Sequence, residues 1–396
     1  MQLSDVVTAR SLLDGVATTT PCVSSRWLSD LAGTTVRLKC ENLQRTGSFK
    51  IRGAYVRIAR LSTEERSRGV VAASAGNHAQ GVALAAAMLD TKARIFMPEG
   101  AAIPKVSATR GYGADIEFVH GGVTEAVKEA QAYAQRTGAE FIHPFDHDDI
   151  LAGQGTVGLE IVEQVPDVRT ILVPIGGGGL AAGIALLREK HPDVRIVGVQ
   201  AEAASTYVPS LSSGAPVEVD LGPTMADGIA VSRPGQIPFD VIAEHLDEVL
   251  TVSEEAMSQA LLQLLERTKM LVEPSGAAGV AALMEHPGRF EGPVVTVLSG
   301  GNIDALVLME VIRHGLNAAG RFLAFRVRIP DRPGELMRLL VALADLQVNI
   351  LNVQHDRTSE SLGVRQVEVA LQVSTRGTDQ QAQVRETLTG LGYDLL

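Results

Sequence analysis

ILVPIGGGGLAAGIALL, running from Ile171 to Leu187, holds no charged residue and is long enough to approach a membrane span. Its interior argues otherwise. Pro174, the glycines Gly176 to Gly179, and Gly183 interrupt it where a lipid-facing helix would run on. A buried strand, a glycine turn and a buried helix fit it better. The same alternation repeats outward. Short β-branched runs at Gly69–Ala73, Ala93–Met97, Arg195–Val199 and Val294–Leu298 are nearly continuously apolar. Alanine-rich stretches at Asn77–Leu89, at Ala181–Lys190 and after Asn302 read as helices. Sheets covered on both faces require strands of this kind, and strand–helix alternation predicts a parallel α/β core.

The pattern changes near His314–Gly320, a short HGLNAAG segment read as a linker. Beyond it the strands alternate. Leu323, Phe325, Val327 and Ile329 interleave with Arg326 and Arg328, and Val367, Val369, Leu371 and Val373 interleave with Glu368 and Gln372. These are half-buried strands. Pro333 to Leu346 predicts a helix with Pro333 in its first turn, and Asp379 to Leu388 predicts a second. The order βαββαβ defines a ferredoxin-like small domain.

Composition narrows the function. The 396 residues carry 46 acidic and 35 basic side chains, a formal charge of −11, and 45% are hydrophobic. That excludes a disordered chain, and the acidic balance argues against nucleic acid or a membrane surface as partner. Cys22 and Cys40 make no disulfide framework and no zinc spacing. Met1 to Arg10 lacks the basic start and apolar run of a signal peptide, so a cytoplasmic setting is expected.

Five segments carry chemistry. In Gly47-Ser48-Phe49-Lys50-Ile51-Arg52-Gly53-Ala54, a lysine lies between a glycine turn and a helix start. A helix N-terminus and apolar neighbours depress an ammonium pKa, which fits an amine for imine chemistry. Ser74-Ala75-Gly76-Asn77-His78 opens a helix after a strand, where N–H groups converge on an anion such as a substrate carboxylate. Gly176 to Gly179 lets successive N–H groups form a phosphate nest, although Gly176, Gly178 and Ala181 also match a loose dinucleotide pattern. Glu273-Pro274-Ser275-Gly276-Ala277 is the fourth. Ser299-Gly300-Gly301-Asn302 is the fifth and ends a strand at its carboxyl edge, where α/β sheets bind ligands. Taken singly, most of these read better as a surface lysine, a helix cap or a turn. Together they describe a site for an aldehyde with a phosphate tail and a ring nitrogen, pyridoxal phosphate.

ENLQRTGSFKIRGA (Glu41–Ala54), SAGNHAQG (Ser74–Gly81), GGGGL (Gly176–Leu180), EPSGA (Glu273–Ala277) and SGGN (Ser299–Asn302), in this order, closely resemble the threonine dehydratases, or threonine ammonia-lyases. These are tryptophan-synthase-β-like enzymes of fold type II. The tail, with Ile329-Pro330-Asp331-Arg332-Pro333-Gly334-Glu335-Leu336, resembles an ACT regulatory domain. The resemblance implies a two-subdomain catalytic domain at 1–315, its small subdomain inserted at about 54–150, a linker at 316–321 and an ACT domain at 322–396. It implies that Lys50 forms the internal aldimine, that Asn77 bonds the ring 3′-oxygen, and that Gly176, Gly177, Gly178, Gly179 and Leu180 cradle the phosphate. It further implies that Ser299 meets the pyridine nitrogen, that Phe49 packs on the ring, and that Ser74, Ala75, Gly76, Asn77 and His78 hold the substrate carboxylate.

The implied activity is β-elimination of L-threonine to 2-oxobutanoate and ammonia, and of L-serine to pyruvate. A Ser at the ring nitrogen makes a weaker electron sink than a carboxylate would, which suits elimination better than transamination. The resembling serine racemases place a second serine where Ala75 stands, and alanine donates no proton. A β-replacement enzyme and a non-catalytic amino-acid sensor are the other readings. No metal is assigned: Glu202 stands where related chains begin an acidic set, but Thr206 and Tyr207 stand where its second acid is expected. The expected partners are a small amino-acid substrate, an amino-acid effector at the ACT domain, and further copies of the chain in a dimer or tetramer.

Overall fold

Ile171–Leu187 falls into separate elements in the computed structural model: a strand over Thr170–Pro174, the glycine turn, a helix over Gly179–Ala185 and a 3-10 turn over Leu186–Glu189. Every residue from Thr170 to Leu187 is buried except Gly176. Among the described residues, 1–357 and 362–396, no helix is long and apolar enough to cross a membrane. The chain divides into two compact units, Met1–Val307 and Leu308–Leu396.

The strands of the first unit are β1 (Cys22–Ser24), β2 (Val36–Lys39), β3 (Val70–Ala73), β4 (Ala93–Pro98), β5 (Asp115–Val119), β6 (Glu140–Phe141), β7 (Thr170–Pro174), β8 (Arg195–Ala201), β9 (Glu248–Val252) and β10 (Val294–Val297). They form two sheets. The larger has the order β1-β2-β10-β7-β8-β9, parallel except for β1. The smaller, β5-β4-β3-β6, is parallel throughout and comes from residues 70–141, within the small subdomain expected at about 54–150. Each sheet has its own core. Leu151, Ile161, Ile171, Val173, Ile184, Val295 and Val297 are fully buried in the larger, and Ala72, Val82, Ile95 and Met97 in the smaller. A fully buried Val, Leu, Ile or Met side chain contributes about 1.5–3 kcal/mol, so these strand and helix residues together hold each sheet to its covering helices.

Two devices fix the helices beside the chemistry. The helix Asp148–Gln164 crosses Gly179–Ala185 at a glycine pair: a methyl group on Gly183 would lie 2.4 Å from the Leu151 carbonyl and 2.6 Å from the Gly155 nitrogen. The second device is a buried ion network. Arg52, on the helix Lys50–Ala59, donates to Glu41 at 2.8 Å and to Glu160 at 2.7 Å, and Lys39 donates to Glu160 at 2.5 Å. Burial works against the Arg52 charge, but the two carboxylates outweigh it and raise its pKa. Removing one partner of such a set strands a buried charge, at a cost of about 3–5 kcal/mol. The network ties helix Lys50–Ala59 to β2 and to Asp148–Gln164, two residues from Lys50.

In the second unit β11 (Phe322–Pro330), β12 (Asn349–Asp356), β13 (Gln366–Ser374) and β14 (Asp394–Leu395) form an antiparallel sheet in the order β12-β13-β11-β14. Helices Glu335–Asp345 and Thr378–Gly390 complete the expected βαββαβ order. Leu323, Val327, Val369, Val373, Leu339 and Leu343 fill its core. The helix Ala305–Ala318 runs into the segment His314–Gly320, and its end is closed by Gly320 at φ +68°, with Arg321 N–H on the Leu316 carbonyl. The terminal glycine is a left-handed helix stop. Pro333 lies outside its helix, because Gly334, at φ +91°, is the N-cap.

Candidate active site

Lys50 is the first residue of its helix, placed by a tight approach from Gly47 through Phe49. Phe49 N–H donates to the Ser299 carbonyl at 3.2 Å, and Ser48 pairs with Gly300 in an isolated bridge. The chain before Lys50 is thereby stitched to the end of β10. The ammonium donates to the Pro144 carbonyl at 3.0 Å and lies 5.2 Å from the centre of the Phe49 ring. Burial pushes the Lys50 pKa down to about 8, with Glu273 opposing the shift. The sequence-based expectation of a tuned amine at a helix start corresponds to this arrangement.

The residue after Pro144 joins the lysine to the glycine turn. The Phe145 ring covers Gly177, where a methyl group would lie 2.3 Å from the ring edge, and Phe145 also lies against Gly179. Gly178 has φ +103°, a conformation that glycine adopts freely, and a methyl group on it would collide with the Tyr207 hydroxyl. Tyr207 is fully buried and donates to the Gly177 carbonyl at 3.2 Å. Among the described residues, the N–H groups of Gly176, Gly177 and Gly178 donate to no protein acceptor. Leu180 is buried in the first turn of the following helix.

Asn77 begins the helix Asn77–Met88 with Gly76 as its N-cap. Its side chain is held from both ends. Asn302 Nδ2 donates to Asn77 Oδ1 at 2.7 Å, and Asn77 Nδ2 donates to Glu273 Oε1 at 2.7 Å. Glu273 is 4% exposed. Burial pushes its carboxyl up to about 7, helped by Asp227 and opposed by Lys105, Asn77 and Lys50. Ser74 Oγ accepts from Gly76 N–H at 3.1 Å, and Ala75 stands beside it, partly exposed. His78 is different. Its Nε2–H donates to the Ile142 carbonyl at 2.8 Å, and burial holds it neutral, with its pKa down at about 3.

These residues fit pyridoxal phosphate on features of the fold itself. A partly buried lysine with a depressed pKa suits an aldehyde. Unengaged glycine N–H groups in a turn walled by Phe145 and Tyr207 suit a phosphate. Ser299, 4% exposed at the strand end, suits a ring nitrogen, and the Ser275 hydroxyl, 2% exposed, has no protein partner. Glu273, Asn302, Pro144 and Phe145 were given no role by sequence reasoning. Glu273 and Asn302 stood inside the EPSGA and SGGN motifs, where a carboxylate just ahead of a helix-starting proline was the available signal. Phe145 and Pro144 left no local signal, because their role comes from tertiary packing alone.

Residues 13–300 match a family model described as pyridoxal-phosphate dependent enzyme, and the chain belongs to that family. An L-threonine ammonia-lyase of Geobacter sulfurreducens is 46% identical over 376 residues, 94% of each chain. Another from Thermotoga maritima is 42% identical over 394 residues, 99% of this chain and 98% of its own. The structure of the processed form of threonine deaminase isoform 2 from Solanum lycopersicum superimposes with a TM-score of 0.74 at 34% identity, covering 78% of this chain and 93% of that one. Within the pyridoxal-phosphate dependent enzymes the chain stands with the threonine ammonia-lyases, carbon–nitrogen lyases of fold type II.

Proposed function

We propose that the chain converts L-threonine to 2-oxobutanoate and ammonia by β-elimination, and L-serine to pyruvate by the same route. The observation that carries this reading is the placement of Lys50: its amine meets the Pro144 carbonyl while the adjoining Phe145 walls the glycine turn. Lys50, Phe49, Asn77, Gly176 to Leu180 and Ser299 are the residues that would hold pyridoxal phosphate. When bound, the cofactor supplies an aldehyde that captures the substrate amine and a ring that draws electrons from Cα. The chain's own groups do the rest. Ser74 to His78 orient the substrate carboxylate with backbone N–H groups at a helix start. Lys50, a free amine for a useful fraction of the time at neutral pH, takes the Cα proton as general base. The Asn302–Asn77–Glu273 chain of hydrogen bonds fixes the Asn77 amide, and Ala75 offers no acid on the opposite face, which supports elimination over racemisation.

The second unit supports an ACT-type regulatory role. Its ferredoxin-like sheet places Asp331–Leu336 between β11 and a helix start, with Asp331 held by Arg357 at 3.2 Å. We assign an amino-acid effector to this segment and a dimer or tetramer to the assembly. The test is ketoacid formation from threonine and from serine by the protein with pyridoxal phosphate, repeated with other amino acids present. Lys50→Ala should abolish both ketoacid formation and the visible absorbance of the bound cofactor. Retained turnover in that variant would remove Lys50 from the mechanism.

A further inference from the structure

One ion pair beside the site has no part in the assignments above. Lys105 comes from the helix Ile103–Gly111, which belongs with the small sheet. Asp227 opens the 3-10 turn Asp227–Ile229 in the stretch between β8 and β9. Lys105 Nζ donates to Asp227 Oδ2 at 2.8 Å. The lysine side chain is only 15% exposed, whereas the aspartate is 64% exposed. So exposed a pairing contributes about 0–1 kcal/mol, which does not explain why a lysine is drawn under cover here.

Its surroundings do. A methyl group on Gly76 would lie 4.0 Å from Lys105 Nζ, so the ammonium stands next to the turn that caps helix Asn77–Met88. The Asp227 side of the pair leans on the cofactor wall. A methyl group on Gly176 would lie 3.0 Å from Ile229 Cα, and one on Gly228 would lie 2.8 Å from the Ser275 hydroxyl and 3.7 Å from Glu273 Oε1. The pair therefore spans from the Ser74–Asn77 turn to the glycine turn. Its charges act inward as well, since Asp227 raises and Lys105 lowers the proton affinity of buried Glu273. An ammonium has three N–H groups, and Asp227 accepts one.

We propose that Lys105 binds the α-carboxylate of the amino-acid substrate and selects for it, with Asp227 holding the ammonium beside the Ser74–Asn77 turn. This rests on the reading of Ser74–His78 as the carboxylate turn. The neutral N–H groups of that turn supply direction, and Lys105 supplies the charge that distinguishes a carboxylate from an uncharged isostere.

The test uses the holoenzyme with L-2-aminobutyrate and its carboxamide, neither of which carries a β-hydroxyl to expel. Dissociation constants are read from the cofactor absorbance and from calorimetry. The wild type should prefer the acid. Lys105→Gln should weaken the acid by about tenfold to a hundredfold, the scale of a hydrogen bond to a charged group, and the amide by less than about threefold. Lys105→Arg should restore much of the preference. With L-threonine, Lys105→Gln should raise KM while kcat stays within about threefold. Equal weakening of acid and amide, or an unchanged acid, would overturn the proposal while leaving the carboxylate turn in place. A wild type that does not prefer the acid would overturn the turn and the proposal together. Should Lys105→Gln not fold, the exposed Asp227→Asn carries the test: it should lower the acid preference by about threefold or more, and an unchanged preference overturns the role.

Discussion

At pH 7 an ordinary lysine is a free amine about one time in three thousand; with its pKa at about 8, Lys50 is one about one time in ten. That difference is chemical, because only the amine attacks an aldehyde. The folded-state pKa is lowered, so the reactive form accumulates as pH rises through about 8 and then saturates. The rate at which the apoprotein captures pyridoxal phosphate, followed by stopped-flow absorbance, should rise close to tenfold from pH 6 to 7 and level off above about pH 9. A rate still climbing close to tenfold from pH 8 to 9 would mean that Lys50 is an ordinary surface amine. Lys50 is marked in the sequence by local features, a glycine turn, a helix start and apolar neighbours, whereas the shift itself comes from burial in the fold. Glu273 was not so marked, although its motif was visible. Its raised pKa comes from burial and from Asp227, which is remote in sequence and close only in the fold. His78 is a similar case. The motif is visible in the sequence, but the engagement of the His78 ring by the Ile142 carbonyl is a contact that only the fold makes.

At the scale of elements, the strands were legible and the crossings were not. Val70–Ala73, Ala93–Pro98 and Thr170–Pro174 lie where continuous apolar runs predicted them, because a strand covered on both faces has no polar side to show. The role of a glycine was harder to read, since the same residue serves turns, helix stops and close packing. Gly320 lies in a segment that the sequence marks as a linker, and there it closes a helix. Gly183 falls in the stretch Ala181–Lys190 that the sequence marks as helical, but its use there, letting two backbones meet, leaves no local signal. The packing of Asp148–Gln164 on Gly179–Ala185 depends on it, and through that packing so does the position of the glycine turn. A side chain there meets the Leu151 carbonyl and the Gly155 nitrogen, backbone atoms that cannot rotate away. Gly183→Val should therefore destabilise the protein by about 3 kcal/mol or more, above the usual range for overpacking, as a lower midpoint in denaturant. It should also weaken cofactor binding. An unfolding free energy within about 0.5 kcal/mol of wild type would show that the two helices can move apart.

The whole molecule holds separate hydrophobic cores. The first unit is built on the cores around its two sheets, and the second on the sheet packed against helices Glu335–Asp345 and Thr378–Gly390. Every residue assigned to pyridoxal phosphate lies in the first unit, from Phe49 to Ser299. A ligand that binds only the folded state stabilises what it binds by RT ln(1 + [L]/Kd), about 4 kcal/mol at a thousandfold excess over Kd. Stabilisation by the cofactor should thus enter through the first unit. Followed by calorimetry, the apoprotein should unfold in two transitions of unequal heat, because enthalpy scales with residues unfolded and Met1–Val307 is much the longer unit. Adding pyridoxal phosphate should move the larger transition upward by several degrees and leave the smaller in place. Lys50→Ala should lose most of that shift, since the covalent share of the binding is gone, while keeping both transitions. A single transition that moves as one would show that the two units unfold together.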